Sequence, residues 1–257
     1  MVSCRRTRTV ATGCVLFLLW GEAARSQAPF PPAPPAGPQI QPTPLDDSDT
    51  GFRPIFNGAS LDGWETDPRY WRVENGLLVG EVTPATLLKQ NNFAIWRGGR
   101  PADFELKVEF RISSQGNSGI NYRSKEIAGT RFLLRGYQAD IDGANAYTGQ
   151  NYEERGRTFL APRGAITYVA TGQKPAVIAS LGSAEELAAF IKPGGWNRYH
   201  VIARGTVLLH ILNGHVMCEV IDADTEHRKM SGLIGVQVHV GPPMKVEYRS
   251  ILLKDLP

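Results

Sequence analysis

A chain of 257 residues with 42% hydrophobic and 21% charged side chains has enough apolar material to bury a core. Its formal charge of +3, from 28 basic and 25 acidic residues, gives no support for nucleic-acid binding. Three cysteines, two of them within the first 14 residues, exclude a disulfide scaffold.

Residues 1–26 read as a secretory signal peptide. Arg5, Arg6 and Arg8 form a basic start, and 10–20 is an apolar run too short to span a bilayer. Ala24 and Ser26 place small residues where a signal peptidase needs them. Cleavage is expected after Ser26, with Ala28 as second choice; an uncleaved anchor is the alternative. The expectation is export, periplasmic or secreted, with no stable membrane span once the leader is removed. The leader holds four basic residues and one acid, so 24 of each remain and the mature chain is near neutral. Cys4 and Cys14 leave with it. Cys218 stays alone in the apolar run 216–220 and reads as a small core residue.

Residues 27–50 form a linker whose Pro-rich stretch, 29–44, predicts an extended tether. Residues 51–257 fit one folded domain. Strand signals dominate it. Segments 70–73 and 77–82 flank Asn75-Gly76, a hairpin signal. Segment 104–112 alternates cleanly, with Phe104, Leu106, Val108, Phe110 and Ile112 on one side and Arg111 on the other. Further strands are predicted at 120–124, 136–142, 196–204, 207–212, 215–221, 233–240 and 245–253. One short helix is predicted over 184–192, with Ser183 as N-cap, Glu186 completing a capping box, and Pro193-Gly194 as the stop. The fold class is therefore all-β, a sandwich of two antiparallel sheets or a barrel, with one short helix.

The acidic strand carries the most information. Along Tyr137-Gln138-Ala139-Asp140-Ile141-Asp142, side chains alternate faces. Tyr137, Ala139 and Ile141 can face a core, while Gln138, Asp140 and Asp142 line the opposite face. Acidic residues are poor strand formers. Carboxylates and an amide on an extended platform suit a polyhydroxyl ligand, and a carboxylate can act as base or acid; the plainer alternative is a solvated sheet face. Residues 143–165 read as a long polar loop. Within it, Tyr147 and Tyr152 could stack on a ring, and Glu153, Glu154, Arg155 and Arg157 could pair above the platform. By the same parity, Gln237 and His239, Asn121 and Arg123, and Arg111 belong to polar faces. The histidines lack zinc-ligand spacing, Asp222-x-Asp224 is a weak calcium hint, and a phosphate cradle and a serine nucleophile elbow are missing. No metal and no cofactor are expected.

Several segments together resemble one family. They are Phe56-Asn57-Gly58 with Leu61-Asp62-Gly63-Trp64, then Asp103-Phe104-Glu105-Leu106 with Phe110-Arg111, and Gly116-Asn117-Ser118-Gly119-Ile120. The acidic strand from Gly136, Asn213-Gly214, and Gly232-Leu233-Ile234-Gly235-Val236-Gln237 complete the pattern. Each motif is weak; their order is specific. In this order they resemble the 3-keto-disaccharide hydrolase family. The resemblance implies a concanavalin-like jelly roll with a concave sugar-binding face. It also implies action on glycosides oxidised at C3, as hydrolases or as 1,2-lyases and glycal hydratases. A C3 ketone acidifies the C2 proton, so a base can form an enolate, the C1 substituent can leave, and water can add.

That route needs a base, an acid and a group to stabilise the enolate oxygen. Asp140 is the expected base, with Asp142 or Glu153 as runner-up. Arg123 or Arg111 is the candidate for the enolate oxygen, and His239 for the acid. Asn121, Gln138, Tyr152, Arg155, Arg157 and Gln237 complete the expected substrate-binding set. Ordinary endoglycosidases of this fold carry Glu-x-Asp-x-Glu; Gln138 stands at the first carboxylate here, which disfavours double displacement. The expected partner is a small carbohydrate, a 3-keto-glycoside. The alternatives are a non-catalytic sugar-binding module and a structural β-sandwich without a small ligand.

Overall fold

The computed structural model describes residues 48–257. The leader, Cys4, Cys14 and the Pro-rich stretch lie outside the described residues. In chain order the strands begin with β1 (Arg53–Pro54), β2 (Trp64–Glu65), β3 (Trp71–Glu74), β4 (Leu77–Val82), β5 (Asn92–Trp96) and β6 (Phe104–Ile112). There follow β7 (Asn117–Glu126), β8 (Leu134–Asp142), β9 (Asn151–Glu154), β10 (Thr158–Ala161), β11 (Ala165–Val169) and β12 (Ala176–Ser180). After helix α1 (Ala184–Ala188) come β13 (Asn197–Arg204), β14 (Val207–Leu212), β15 (His215–Asp222), β16 (Leu233–Val238) and β17 (Met244–Asp255).

These strands form two sheets. The larger runs β12-β11-β15-β14-β13-β6-β17-β4-β3, with β1 added to β17; the smaller runs β10-β9-β8-β7-β16-β5-β2. Neighbours are antiparallel except β11 and β15. Alternation fills the space between the sheets. Phe104, Leu106, Val108 and Phe110 of β6, with Val201 and Ala203 of β13, meet Ile120, Ala139, Ile141, Val236 and Val238 of the smaller sheet, all buried. Truncating one such aromatic, Phe104→Ala, costs about 3–5 kcal/mol. Trp64, Trp71 and Trp96 also lie in this core.

The turn chemistry holds where the dipeptide demanded it. Asn75 (φ 52°) and Gly76 (φ 80°) join β3 to β4, and Asn213 (φ 50°) and Gly214 (φ 84°) join β14 to β15. Positive φ at both turn positions matches the twist of the flanking strands. The capping box of Ser183 and Glu186 forms as expected, but α1 stops at Ala188; i→i+3 bonds from Phe190 and Ile191 carry the chain onward. The segment expected as a long polar loop instead contains the hairpin of β9 and β10, which extends the smaller sheet. Chain contacts with the sandwich begin ahead of Gly51: Lys107 Nζ donates to Ser48 O at 2.6 Å. Among the described residues, no helix is long and apolar enough to cross a membrane.

Candidate active site

β8 lies inside the smaller sheet, and its polar side chains point away from the core onto the outer face. Register brings Asn121 of β7 and Tyr152 of β9 to either side of Gln138, and Gly119 beside Asp140. Gly235 of β16 sits opposite Asn121, so Gln237 of the same strand joins this face. Gly119 leaves room for this arrangement: a Cβ there would push the Gln138 side chain out of place. One end of the same face carries its own apolar cluster of Phe93, Ile95, Leu133, Leu134 and Leu233.

Asp140 is 8% exposed and meets amides rather than cations. Gln138 Nε2 donates to its Oδ1 at 2.7 Å, and Gln150 Nε2 donates to its Oδ2 at 3.1 Å. Burial pushes its carboxyl up to about 7. The two amide donors oppose that rise, and the negative charges of Asp142 and Glu154 add to it. Gln237 Nε2 in turn donates to Gln138 Oε1 at 3.1 Å, which fixes the Gln138 amide with its NH₂ toward the acid. Glu154, also buried, accepts from Asn91 Nδ2 at 3.1 Å. Its carboxyl is raised by burial, while Asn91, Arg155, His239 and Gln237 pull it partly back. Both amide atoms of Asn121, and Oε1 of Gln237, are buried without a hydrogen-bond partner among the described residues. Such groups carry a desolvation cost of about 1–3 kcal/mol each.

A core network holds this face from beneath. Tyr199 Oη donates to the Asp140 carbonyl and accepts from Gly149 N, both at 2.8 Å. His210 is fully buried, and burial pushes its imidazole down to about 3, so the ring is neutral. Its Nδ1 donates to Gln150 O at 3.2 Å and its Nε2 accepts from Tyr122 Oη at 2.9 Å. The backbone on both sides of the acid is thus fixed by rings anchored in the larger sheet. Cys218 is buried opposite His210, as a core residue.

Of the residues expected at the site, Gln138, Asp140, Asn121, Gln237 and Tyr152 share the outer face. His239 and Arg155 adjoin it beside Glu154, to which Arg155 Nε lies at 3.6 Å. Asp142 shares the face but organises a loop: it accepts from Ala146 N, Tyr147 N, Thr148 N and Thr148 Oγ1. Four residues lie elsewhere. Glu153 alternates to the opposite side of β9 and pairs with Arg157 at 2.5 Å and with Lys229. Arg157 also binds Asp222 at 2.6 Å and Asp224 at 3.1 Å, so Asp222-x-Asp224 holds a guanidinium. Arg123 has φ 43° at a register shift, which breaks the parity inferred from Asn121; its guanidinium holds Ala102 O, Gly205 O and Asp103. Arg111 lies on the larger sheet, paired with Glu247 and stacked over Trp196, which Arg249 also covers.

Sequence reasoning named Glu154 only as a charge partner above the platform, and did not name Gln150 or Asn91. For Glu154 the signal existed: alternation along β9 puts it with Tyr152. Gln150 and Asn91 reach the face from irregular backbone, where parity says nothing. Among the described residues, no group of three or more His, Cys, Asp or Glu is placed to hold a metal.

The model of the 3-keto-alpha-glucoside-1,2-lyase-like domain matches residues 51–254. The chain belongs to this family. Its carbohydrate-related function follows from that membership. Among solved structures, a candidate glycosyl hydrolase from Parabacteroides distasonis is similar at 19% identity and TM-score 0.53, over 80% of this chain and 95% of that one. A second from the same organism gives 17% identity and TM-score 0.52, over 80% and 99%. A Bacillus subtilis protein of unknown function with a galectin-like fold gives 12% identity and TM-score 0.50, over 79% and 94%. No curated protein matches the chain. The structural likenesses establish the fold, a jelly-roll sandwich; the family match carries the carbohydrate connection.

Proposed function

We propose that this protein is an exported enzyme that cleaves 3-keto-glycosides by base-catalysed elimination followed by hydration. The observation that carries the reading is Asp140, a buried carboxylate held by neutral amides with its carboxyl pushed up to about 7. A base works best when its pKa lies near the working pH, because it is then both ionised and basic.

Asp140 takes the C2 proton of the oxidised sugar, and the electron pair moves onto the C3 oxygen. That oxygen needs donors. Asn121 has an unpartnered amide beside Gln138, and Arg155 is the guanidinium of the expected set that adjoins this face. The enolate then collapses, the C1–O bond breaks, and the departing oxygen takes a proton. Glu154, raised by burial, or its neighbour His239 supplies it. Water then adds its oxygen at C1 and gives its proton back to the group that protonated the departing oxygen, while Asp140 returns its proton to C2. Gln138 at the position of a glycosidase carboxylate agrees with this route, since elimination needs no second nucleophilic acid.

The test is turnover of a 3-keto-disaccharide against its unoxidised parent, followed as released sugar. Cleavage of the oxidised substrate alone is expected. Equal cleavage of both would return the protein to ordinary glycosidase chemistry, and binding without cleavage would make it a lectin-like module.

A further inference from the structure

Beyond Asp140, aromatic side chains run from the platform to the edge of the smaller sheet. Tyr152 lies opposite Gln138, and Phe159 of edge strand β10 lies opposite Tyr152. Phe159 meets Tyr152 edge-on, with centroids 5.1 Å apart at 68°. Tyr147 stacks on Phe159 with centroids 6.1 Å apart at 30°. Tyr147 is 47% exposed, yet its backbone is not free. Its amide and that of Thr148 donate to Asp142 Oδ1 at 2.8 Å each, and Arg163 Nη1 holds Thr148 O at 2.6 Å. A large ring presented to solvent on a fixed backbone supplies contact area at low entropic cost. Asp142 carries the loop that presents the ring, which accounts for an acid at this position of the strand.

We propose that Tyr147, Phe159 and Tyr152 form the leaving-group subsite, which receives a second pyranose ring of a 3-keto-disaccharide. This rests on the cleavage reading above. From β8 to β10 is two strand spacings, about 9–10 Å, so a ring linked to the sugar over Asp140 reaches the aromatic row. A pyranose fits this row chemically. Its apolar C–H face packs on rings, and its hydroxyls meet the exposed Tyr147 hydroxyl. A methyl leaving group is too short to touch it.

The test compares the full protein with Tyr147→Ala and Tyr147→Phe on two substrates, a 3-keto-disaccharide and the 3-keto methyl glucoside. In Tyr147→Ala the ratio of kcat/KM, disaccharide over methyl glucoside, falls about tenfold through KM of the disaccharide; Tyr147→Phe restores it. An unchanged ratio, or one that Tyr147→Phe fails to restore, overturns the subsite. Calorimetric binding of the unoxidised disaccharide separates this from the cleavage reading. Tyr147-dependent binding with no turnover of either ketone would defeat the cleavage reading while supporting the subsite. Binding of equal strength in wild type and Tyr147→Ala would defeat the subsite.

Discussion

Glu153 and Glu154 are adjacent on one short strand and live in different worlds. Glu153 faces a buried ion cluster, where Arg157 and Lys229 balance it and Tyr137, Asp222 and Asp224 complete the bonding. Glu154 faces the platform, where an amide at 3.1 Å and a guanidinium only at 3.6 Å leave it raised, close to Asp140, which no cation pairs in the described structure. Opposite charges at contact distance fix geometry and balance buried charge. Burial beside neutral amides raises the Glu154 and Asp140 carboxyls instead, that of Asp140 up to about 7. The first arrangement builds the fold; the second leaves chemistry available.

The largest expected effect is on the second arrangement. Asp140→Asn keeps the shape and removes the basic oxygen, so turnover of a 3-keto-glycoside falls on the order of a hundredfold or more with binding retained. Near-normal turnover would take the base away from Asp140. The two glutamates then separate the regions. Glu154→Gln is expected to lower kcat at least about tenfold without loss of thermal stability, because the change removes a buried charge. Glu153→Gln is expected to cost about 1–3 kcal/mol in urea unfolding, since Arg157 keeps its two aspartates, with kcat per folded molecule preserved. The reverse pattern would exchange the roles assigned here.

Smaller effects sharpen the comparison. Gln237→Leu frees the Gln138 amide to turn its oxygen toward Asp140, so the acid limb of the rate profile moves to higher pH. A limb left in place would show that Gln237 only packs. Least of all is the stability linkage. The folded-state carboxyl of Asp140 lies above its ordinary value, so its contribution is fully present below about pH 4 and is lost as pH rises through about 7. Asp140→Asn removes that loss and raises Tm by a few degrees at pH 8 relative to its effect at pH 4. Equal Tm differences at both pH values would mean that Asp140 is not perturbed.

Much of this was legible in the chain. Alternation along Phe104–Ile112 and the two Asn-Gly turns fixed strands and hairpins, because period two and positive φ leave local marks. The acidic strand announced the platform, since Asp140 and Gln138 share a face by parity alone. Parity failed at Arg123, where a single residue of positive φ reversed the face. It could not show that Arg111 belongs to the other sheet, because sheet membership is set by long-range pairing. Glu153 and Glu154 were mistaken for loop residues because polar, four-residue strands carry little intrinsic preference. Gln150 and Asn91 left no local mark, since each reaches the site from irregular backbone.

The central claim is that Asp140, a carboxylate held by amides and paired with no cation among the described residues, is the base. The pH dependence of kcat/KM on a 3-keto-disaccharide, measured for wild type and for Asp140→Asn, tests it most directly. A base acts when deprotonated, so wild-type kcat/KM should rise about tenfold per pH unit below about 7 and level above it. The residual rate of Asp140→Asn should lack that limb. A wild-type limb near pH 4, or a limb near 7 that persists in Asp140→Asn, would contradict the account.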